Sequence, residues 1–282
     1  DMANSPGYIP IGTDEHKFMG TFYGNGHVIS NVSISQSGTS GVGIFGVTGN
    51  TARILDLGVE NATVSGKDYT GVIVGNSAGT ITNCYVKGNV NVNGNSYVGA
   101  ITGQATNTIA SSYTSGNINI NGSGYVGGLA GYINSSVRNS FVQDVNVTSS
   151  SGKAGGFTGV FGSAASYDKI SIKGTINVSG SNCIGGYVGS SDISLSNLNA
   201  NVTGTVKATS GYVGGIAGSI SSSRTISNCN ATMSITGSGG NYVGGIVGYA
   251  NSATISQSSY NGTITATDTG SVGGIAGVAG TI

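Results

Sequence analysis

The sequence predicts an all-β protein folded as a single-stranded parallel β-helix, or β-solenoid, with three short strands in each coil. Three observations support this prediction. A glycine-rich motif recurs at a nearly constant interval, a second segment of each repeat alternates apolar and polar residues, and no segment keeps the three-and-four apolar spacing of a helix. Because one repeat is too short to bury a core alone, the repeats have to stack on one another.

The glycine-rich motif has the form "YVGGIAGS", as it is written from Tyr212. Its apolar residues do not keep one parity, so a strand here has to bend or bulge at Gly214 and Gly215, where glycine tolerates the backbone freely. We expect these glycines to shape a corner of the coil and to expose a smooth Gly and Ala strip on one side. Nine copies begin 28 to 30 residues apart, at Ser40, Tyr69, Tyr97, Tyr125, Lys153, Cys183, Tyr212, Tyr242 and Ser271.

The tyrosines that open this motif are expected to form a broken stack along the axis, because aromatic side chains one coil apart lie within contact distance. A structural ladder is the preferred interpretation, and a row that stacks against sugar rings is the alternative. The predicted ladder consists of Tyr69, Tyr97, Tyr125, Tyr212 and Tyr242.

The alternating segment is written "GNVNVN" from Gly88 and "GNININ" from Gly116. Its apolar residues are predicted to line the interior in two columns, and the residues between them point outward by the same alternation. The first column is Val90, Ile118, Val145, Ile176, Val206, Met233 and Ile264, and the second is Val92, Ile120, Val147, Val178, Ala208, Ile235 and Ala266. The outward residues make a flat face without charge that we expect to contact a ligand, through Asn89, Asn91, Asn93, Asn117, Asn119, Asn121, Asn146, Asn177, Thr263, Thr265 and Thr267.

A third strand is predicted just before this segment, in "TITNCY" from Thr80 and its copies. Nine coils at a strand spacing of roughly 4.8 Å would make a rod about 40 to 45 Å long. The predicted boundaries are an amino-terminal capping coil over 1–39 and a solenoid of about nine coils over 40–282, the last of them incomplete. We expect either a fragment of a longer protein or a rod whose end meets another subunit.

Composition excludes several classes of protein. The chain has 52 Gly but 2 Pro, without glycine at every third position, which excludes collagen. Its 10 basic residues balance its 10 acidic ones, so it lacks the basic surface expected of a protein that binds nucleic acid or anionic lipid. No apolar run approaches the roughly 18 residues that span a bilayer, and we expect no membrane insertion in this segment.

No catalytic residue, metal-ligand set or cofactor is predicted. Glycan-active enzymes use two acids that flank a sugar bond, whereas the acids here do not fall into one column. Asp56 and Glu60 are the nearest pair, and both belong to one strand and its turn. His16 and His27 have no metal-ligand partner at useful spacing, and "GVGIFG" (residues 41–46) lacks the helix that a dinucleotide-binding loop requires.

The three cysteines are expected to be free and mostly buried. Cys84 and Cys229 occupy the same position of their repeats but lie five coils apart, far beyond the reach of a disulfide. Cys183 replaces the leading tyrosine of its repeat and belongs to a different column.

Nine Asn-x-Ser/Thr sequons are present, although a chain rich in these residues forms many by chance. If the chain is glycosylated, we expect turn positions such as Asn121 and Asn134 to be preferred over the mid-strand Asn146. The nine are Asn31, Asn61, Asn121, Asn134, Asn146, Asn177, Asn201, Asn230 and Asn261.

The repeated "YVGGIAG" followed by "TISNC" resembles the GLUG motif of bacterial and archaeal cell-surface proteins, which include adhesins and the amino-terminal regions of IgA-cleaving metallopeptidases. The segment "FMGTFYGNGHVISNVSIS" (residues 18–35) resembles the "GTFDGNGHTI" segment that precedes such repeats, with Tyr23 in the place of the acid. The resemblance covers roughly residues 18–278. It implies a right-handed parallel β-helix at a cell surface and does not imply an activity.

Two functional interpretations remain. The first is a non-catalytic cell-surface or extracellular rod, such as an adhesin, structural stalk or filament component, that binds a glycan or a cell surface or associates with itself. The alternative is a glycan-active β-helix enzyme or the leader region of a surface peptidase. We expect the first, because the uncharged face carries no candidate active site.

Overall fold

A computed structural model describes residues 1–3, 7–239, 242–268 and 270–282 of the chain. Across these residues the protein is all-β and contains no helix. Each strand pairs in parallel with its copy in the next coil, as Tyr113–Gly122 does with Phe141–Ser149. The strands stack as a β-solenoid of about nine coils, which confirms the predicted fold class.

Four long sheets run along the solenoid. The Thr sheet contains Thr21–Tyr23, Arg53–Leu55, Thr80–Thr82, Ile109–Ala110, Ser136–Arg138 and Ser166–Asp168. The Asn sheet contains Val28–Ser35, Gly58–Ser65, Tyr85–Asn93, Tyr113–Gly122, Phe141–Ser149, Ser171–Gly180, Thr205–Ala208, Ser234–Ser238 and Ile264–Thr267. The Tyr sheet contains Tyr97–Gly99, Tyr125–Gly127, Lys153–Gly155, Cys183–Gly185, Tyr212–Gly214, Tyr242–Gly244 and Ser271–Gly273.

The fourth sheet, the Gly sheet, contains Phe45–Thr48, Val74–Ser77, Thr102–Ala105, Ala130–Ile133, Thr158–Phe161, Val188–Ser191, Ala217–Ile220, Val247–Ser256 and Ala276–Thr281. The long strand Val247–Ser256 continues around a corner, so the later Thr-type strands Leu195–Ser196 and Thr225–Ser227 join this sheet. A short fifth sheet precedes the Asn sheet in the last coils and contains Asn199–Ala200, Asn230–Ala231 and Ser259–Tyr260.

The regular coils contain four strands rather than the predicted three, because the glycine-rich strand is divided in two. In the repeat from Tyr212, one strand ends at Gly214 and the next begins at Ala217, with a bend at Gly215 and Ile216 between them. The predicted bend at the glycines is therefore confirmed. It is sharp enough that the two halves belong to different sheets.

The Tyr and Gly sheets meet backbone to backbone at this corner. A Cβ atom added to Gly103 would lie 2.6 Å from both the Thr70 nitrogen and the Tyr97 oxygen, which leaves no space for any side chain. The expectation of an exposed strip is therefore wrong, and Ala217 is fully buried. Nine glycines occupy this position, namely Gly46, Gly75, Gly103, Gly131, Gly159, Gly189, Gly218, Gly248 and Gly277.

The predicted inward columns are buried, and in the first coils their register is the predicted one. Ile118 pairs with Val90 and with Val145, and all three are completely buried. Farther along the chain the prediction is wrong by two residues, because Val206 pairs with Val178 instead of Ile176. Gly204, with a φ of 129°, then lies opposite Ile176 and against its backbone, in the row where the earlier coils place an inward side chain.

In the next coil Ile235 is in its predicted column, because it pairs with Val206 and through it with Val178, and a second shift of two residues then moves the members of the last coil. Ile264 pairs with Ile235, and Ala266 pairs with Gly237, so both lie one inward position away from the predicted column. They still point inward, since both are partly buried against the core. The prediction that Ile264 and Ala266 point inward is correct, but the residues predicted to pair with them are wrong.

Each coil turns from the Thr sheet into the Asn sheet at a residue with a positive φ, between 48° and 58°. Asparagine and aspartate tolerate this left-handed conformation better than most residues. Their side chains also contact each other between coils, since Asn83 Nδ2 donates to Asp56 Oδ1 at 2.6 Å. The corner column is Asn25, Asp56, Asn83, Ser111, Asn139, Lys169, Asn197, Asn228 and Gln257.

The buried columns give a first testable prediction. Ile118→Asp places an unpaired carboxylate among aliphatic side chains and should lower the free energy of unfolding by at least about 3 to 5 kcal/mol. Asn117→Asp is the matched control on the exposed side of the same strand and should change it by less than about 0.5 kcal/mol. Urea unfolding followed by circular dichroism measures both, and equal losses for the two variants would contradict the assigned faces.

The glycine corner gives a second prediction. Gly103→Ala should destabilise the protein by about 1 to 3 kcal/mol or more, because the backbone atoms that the new methyl group meets cannot rotate away. Gly38→Ala serves as the control, since an added Cβ meets no atom within 4 Å there. In thermal unfolding the control should behave as the unmodified chain or be slightly more stable. A neutral Gly103→Ala would show that the two sheets have room to separate.

Candidate functional site

The outer surface of the Asn sheet carries asparagines that stack directly on one another. Asn119 Nδ2 donates to Asn91 Oδ1 at 3.2 Å, one coil away. The same bond repeats from Asn146 to Asn119 at 3.0 Å and from Asn177 to Asn146 at 2.9 Å. At the end of the column the hydroxyl and the backbone nitrogen of Thr205 both donate to Asn177 Oδ1. This amide ladder spans five coils.

Shorter columns flank the ladder on both sides. Asn121 Nδ2 donates to Asn93 Oδ1 at 3.2 Å, and Asn117 Nδ2 lies 3.4 Å from Asn89 Oδ1. We call this surface the Asn face, and it consists of Asn89, Asn91, Asn93, Asn117, Asn119, Asn121, Asn146 and Asn177. The structure thus brings together all eight asparagines that the sequence predicted.

The three predicted threonines lie farther along the same sheet, but in shifted columns. Thr265 pairs with Thr236, which pairs with Lys207 and thus continues the column of Asn93 instead of that of Asn91. The shift arises in the last coil, because Ser234 of the coil before it pairs with Thr205 and still belongs to the column of Asn91. Thr263, Thr265 and Thr267 are all exposed and remain separate from the Asn face.

Charged residues border the Asn face and have partners in adjacent coils. Lys87 Nζ lies 3.9 Å from Glu60 Oε1. Asp144 adopts a positive φ at a bulge, and its Oδ1 accepts a hydrogen bond from the Thr175 backbone nitrogen at 2.8 Å. Asn61 Oδ1 does the same for the backbone nitrogen of Asn89 at 3.0 Å. These side chains shape the edge of the sheet, and the face itself is made of neutral amides.

The predicted tyrosine ladder forms in two separate pieces. Tyr69 and Tyr97 stack in parallel with ring centroids 4.8 Å apart, and Tyr125 meets Tyr97 edge-on at 5.2 Å. Tyr212 and Tyr242 stack at 5.5 Å. Because stacked neighbours cover the ring faces, this arrangement favours a structural ladder over a row that stacks on sugars.

Between the two pieces, Lys153 and Cys183 replace tyrosine. Lys153 Nζ lies 5.4 Å from the centre of the Tyr125 ring, in a cation–π contact that ends the first piece. Cys183 pairs with Tyr212, where the second piece begins.

The sequence-based ladder missed two tyrosines that the Gly sheet contributes. Tyr249 packs against Tyr212 at 4.7 Å, and Tyr132 lies 6.1 Å from Tyr97. Burial raises the pKa of Tyr97 and Tyr132, and the neighbouring phenols, together with Asp192 beside Tyr132, raise it further. Tyr132 and Tyr249 each directly follow a corner glycine, Gly131 or Gly248, but nothing in the linear pattern shows that the chain folds back there.

A second aromatic stack begins the strands of the Asn sheet. Tyr85 and Tyr113 stack at 5.2 Å, and Tyr113 and Phe141 at 4.7 Å. Lys173 Nζ covers the last ring at 3.9 Å from its centre. The signal was present in the sequence, because "TITNCY", "TIASSY" and "SVRNSF" all end in an aromatic residue at the same repeat position.

Several of the acids are bonded one by one, most of them to a residue of an adjacent coil. Asp68 accepts from Ser96 Oγ at 2.5 Å, and Asp192 accepts from Ser221 Oγ at 2.6 Å, each across one coil. Asp56 belongs to the corner column and Glu60 to the lysine pair, so the two do not act on a common site. Among the described residues, no group of three or more His, Cys, Asp or Glu could hold a metal ion. The same residues contain no helix that is long and apolar enough to cross a membrane.

The three cysteines are free and buried, as the sequence predicted. Cys84 lies in a column with Ser112 and Ser140, and the Ser112 hydroxyl accepts a hydrogen bond from the Cys84 nitrogen at 3.2 Å. Burial raises the pKa of the Cys84 thiol to about 11, and hydrogen bonds with the nearby backbone only partly oppose this. The thiolate that would react is therefore scarce at neutral pH.

This burial gives a third prediction. A disulfide reagent such as dithionitrobenzoate at pH 8 should leave the folded chain unreacted and titrate three thiols after unfolding in guanidinium. Ser222→Cys on an exposed turn is the control and should add one thiol that reacts at once. Rapid reaction of the unmodified folded chain would show that the coils open to solvent.

Comparison with known proteins finds partial relatives. No family model matches the chain. A segment of 87 residues is 45% identical to halomucin of Haloquadratum walsbyi and covers 30% of this chain and 1% of halomucin. A segment of 85 residues is 33% identical to a "Putative Gly-rich membrane protein" of Evansella cellulosilytica and covers 29% of this chain and 10% of that protein.

Among solved structures, the chain is similar to one described as a putative immunoglobulin A1 protease from Bacteroides ovatus. The TM-score is 0.45 at 22% identity, over 98% of this chain and 74% of that one. The curated relatives are thus matched over a small part of their own length, and the GLUG assignment stays a prediction from the motif.

Proposed function

We propose that this chain is a non-catalytic rod segment displayed outside the cell, which binds neutral polysaccharide along its Asn face. The observation that supports this most directly is the amide ladder. It presents donors and acceptors at the regular spacing of the coils, and no charged side chain belongs to it.

The ladder leaves bonding capacity unused. A primary amide has two N–H donors and an oxygen with two lone pairs, and Asn119 uses one of each for its neighbours. Each amide in the middle of the ladder therefore keeps one donor and one acceptor for a ligand. Sugar hydroxyls both donate and accept, so they fit such an array without a counter-charge.

Binding through this face is expected to be weak at each coil and to accumulate along the rod. A single neutral hydrogen bond contributes roughly 0.5 to 1.5 kcal/mol, but a polymer that crosses several coils makes the later contacts at a high effective concentration. A polysaccharide is therefore a better ligand for this surface than a single sugar.

The location outside the cell has separate support. One partial relative is named halomucin and another a Gly-rich membrane protein. The repeated "YVGGIAG" and "TISNC" resemble GLUG repeats, and we propose on this basis that the chain belongs with them and is right-handed. The lack of a catalytic role is part of the proposal, and it is supported by Asp68, Asp144 and Asp192, each of which is hydrogen-bonded separately to an adjacent coil.

Affinity gel electrophoresis in dextran, xylan and mannan, with alginate as an anionic comparison, tests the proposal. We expect a neutral polysaccharide to retard the chain without release of reducing ends. Asn91→Ala with Asn119→Ala removes the centre of the ladder and should weaken binding about tenfold, or about 1.4 kcal/mol.

Thr225→Ala with Thr254→Ala is the matched control, because these exposed threonines pair on the outer side of a different part of the coil. It should bind like the unmodified chain. Circular dichroism checks that both double variants fold. The proposal fails if no neutral polysaccharide retards the chain, or if the asparagine variant binds as well as the threonine variant.

A further inference from the structure

The nine sequons differ in whether the asparagine amide and the hydroxyl two residues later are already hydrogen-bonded in the structure. We propose that Asn261 is the N-glycosylation acceptor site of the folded chain, a modification that rests on the proposed location outside the cell. Its sequon is Asn261-Gly262-Thr263.

The chemistry sets two requirements. Asn Nδ2 attacks the anomeric carbon of an oligosaccharide carried on a lipid phosphate or pyrophosphate. A nitrogen–carbon bond forms, the bond from that carbon to the phosphate oxygen breaks, the lipid phosphate leaves and one amide proton passes to a base on the transferase. The acceptor amide must therefore be exposed and free, and the transferase must reach the hydroxyl two residues later.

Asn261 meets both requirements. Residues 261–263 lie between the strands Ser259–Tyr260 and Ile264–Thr267, and all three are exposed. Within the described part of the chain, neither the Asn261 amide nor the Thr263 hydroxyl has a hydrogen bond. The backbone nitrogen of Asn261 donates to the Ala231 oxygen at 2.9 Å, which holds the segment on the surface of the coil.

The sequons of the ladder are engaged. Asn146 and Asn177 use their amides between coils, and Asn121 Nδ2 donates to Asn93 Oδ1. Asn134 Oδ1 accepts from the Ala164 nitrogen at 2.9 Å. The structure therefore argues against the sequence-based preference for Asn121 and Asn134, because Asn121 lies within the strand Tyr113–Gly122 instead of a turn and both side chains are hydrogen-bonded.

The remaining sequons each fail one requirement. Three more acceptor side chains are hydrogen-bonded, those of Asn31, Asn61 and Asn230. Asn201 is exposed, but the hydroxyl of its Thr203 lies 3.0 Å from Thr175 Oγ1 and donates to the Gly174 oxygen at 3.1 Å. Asn261 is therefore the most favourable glycosylation acceptor, and Asn201 is the second most favourable.

The test uses the purified full chain, folded or denatured in urea and diluted, with a single-subunit oligosaccharyltransferase and its lipid-linked oligosaccharide. Glycopeptide mass spectrometry locates the sugar itself, so that deamidation at Asn261-Gly262 is not counted. We expect the folded chain to carry glycan at Asn261 at least tenfold above Asn146 and Asn177, and the denatured chain to lose this selectivity. Asn261→Gln should remove the main product, and Asn146→Gln should not.

Three results would overturn the proposal: glycan at ladder positions of the folded chain, an unmodified Asn261 in the folded chain, or no transfer to Asn261 even after denaturation. The assay needs no polysaccharide ligand and no cell. Its failure is therefore distinguishable from failure of the proposed binding function, which the electrophoresis measures independently.

Discussion

The constraint on which this structure depends is that each strand residue stacks on a residue of the next coil, one strand spacing away, and in most coils on its own counterpart. At about 4.8 Å, two like charges repel by about 1 kcal/mol even in the dielectric of water, and a column of them would repeat that cost at every coil. This explains why 7% of the residues are charged. Lysines of the sheets have neighbours of a different kind: Lys87 pairs with Glu60 and Lys153 with Tyr125, while Lys173 pairs with Gln143 and covers the Phe141 ring.

The columns are filled by residue types that pack well against a residue of the same type, and each type occupies the environment that suits it. Aliphatic side chains gain contact area and take the interior, amides bond to each other in series on the outside, and phenyl rings stack where they are half-buried. Glycine takes the corner for a different reason. The backbones of the Tyr and Gly sheets are in direct contact at the corner. This contact requires residues without a side chain, as the position of Gly103 shows. The Gly and Ala strip that the sequence predicts to be exposed is a buried contact between two sheets inside the rod.

The solenoid, its inward and outward faces and its buried thiols could be predicted because each depends on local alternation repeated at a constant period. What could not be predicted depends on how the chain folds back within a coil. The split of the glycine strand brings Tyr132 and Tyr249 beside the tyrosine ladder, and periodicity contains no signal for that contact. The slip at Val206 was missed because the alternating pattern aligns Val206 with Ile176, whereas the structure pairs it with Val178 and places Gly204 opposite Ile176.

The same stacking rule bears on how such a surface can bind. Free asparagine side chains lose rotamer freedom when a ligand immobilises them, but each amide of the ladder is already held by its neighbours before any ligand arrives. The cost of ordering the site is thus met by folding, and a ligand that spans several coils gains its hydrogen bonds with little further loss of entropy. The binding that we propose therefore calls for a long, neutral and extended polymer, and the length of the face is set by the number of coils that keep Asn91, Asn119, Asn146 and Asn177 in register.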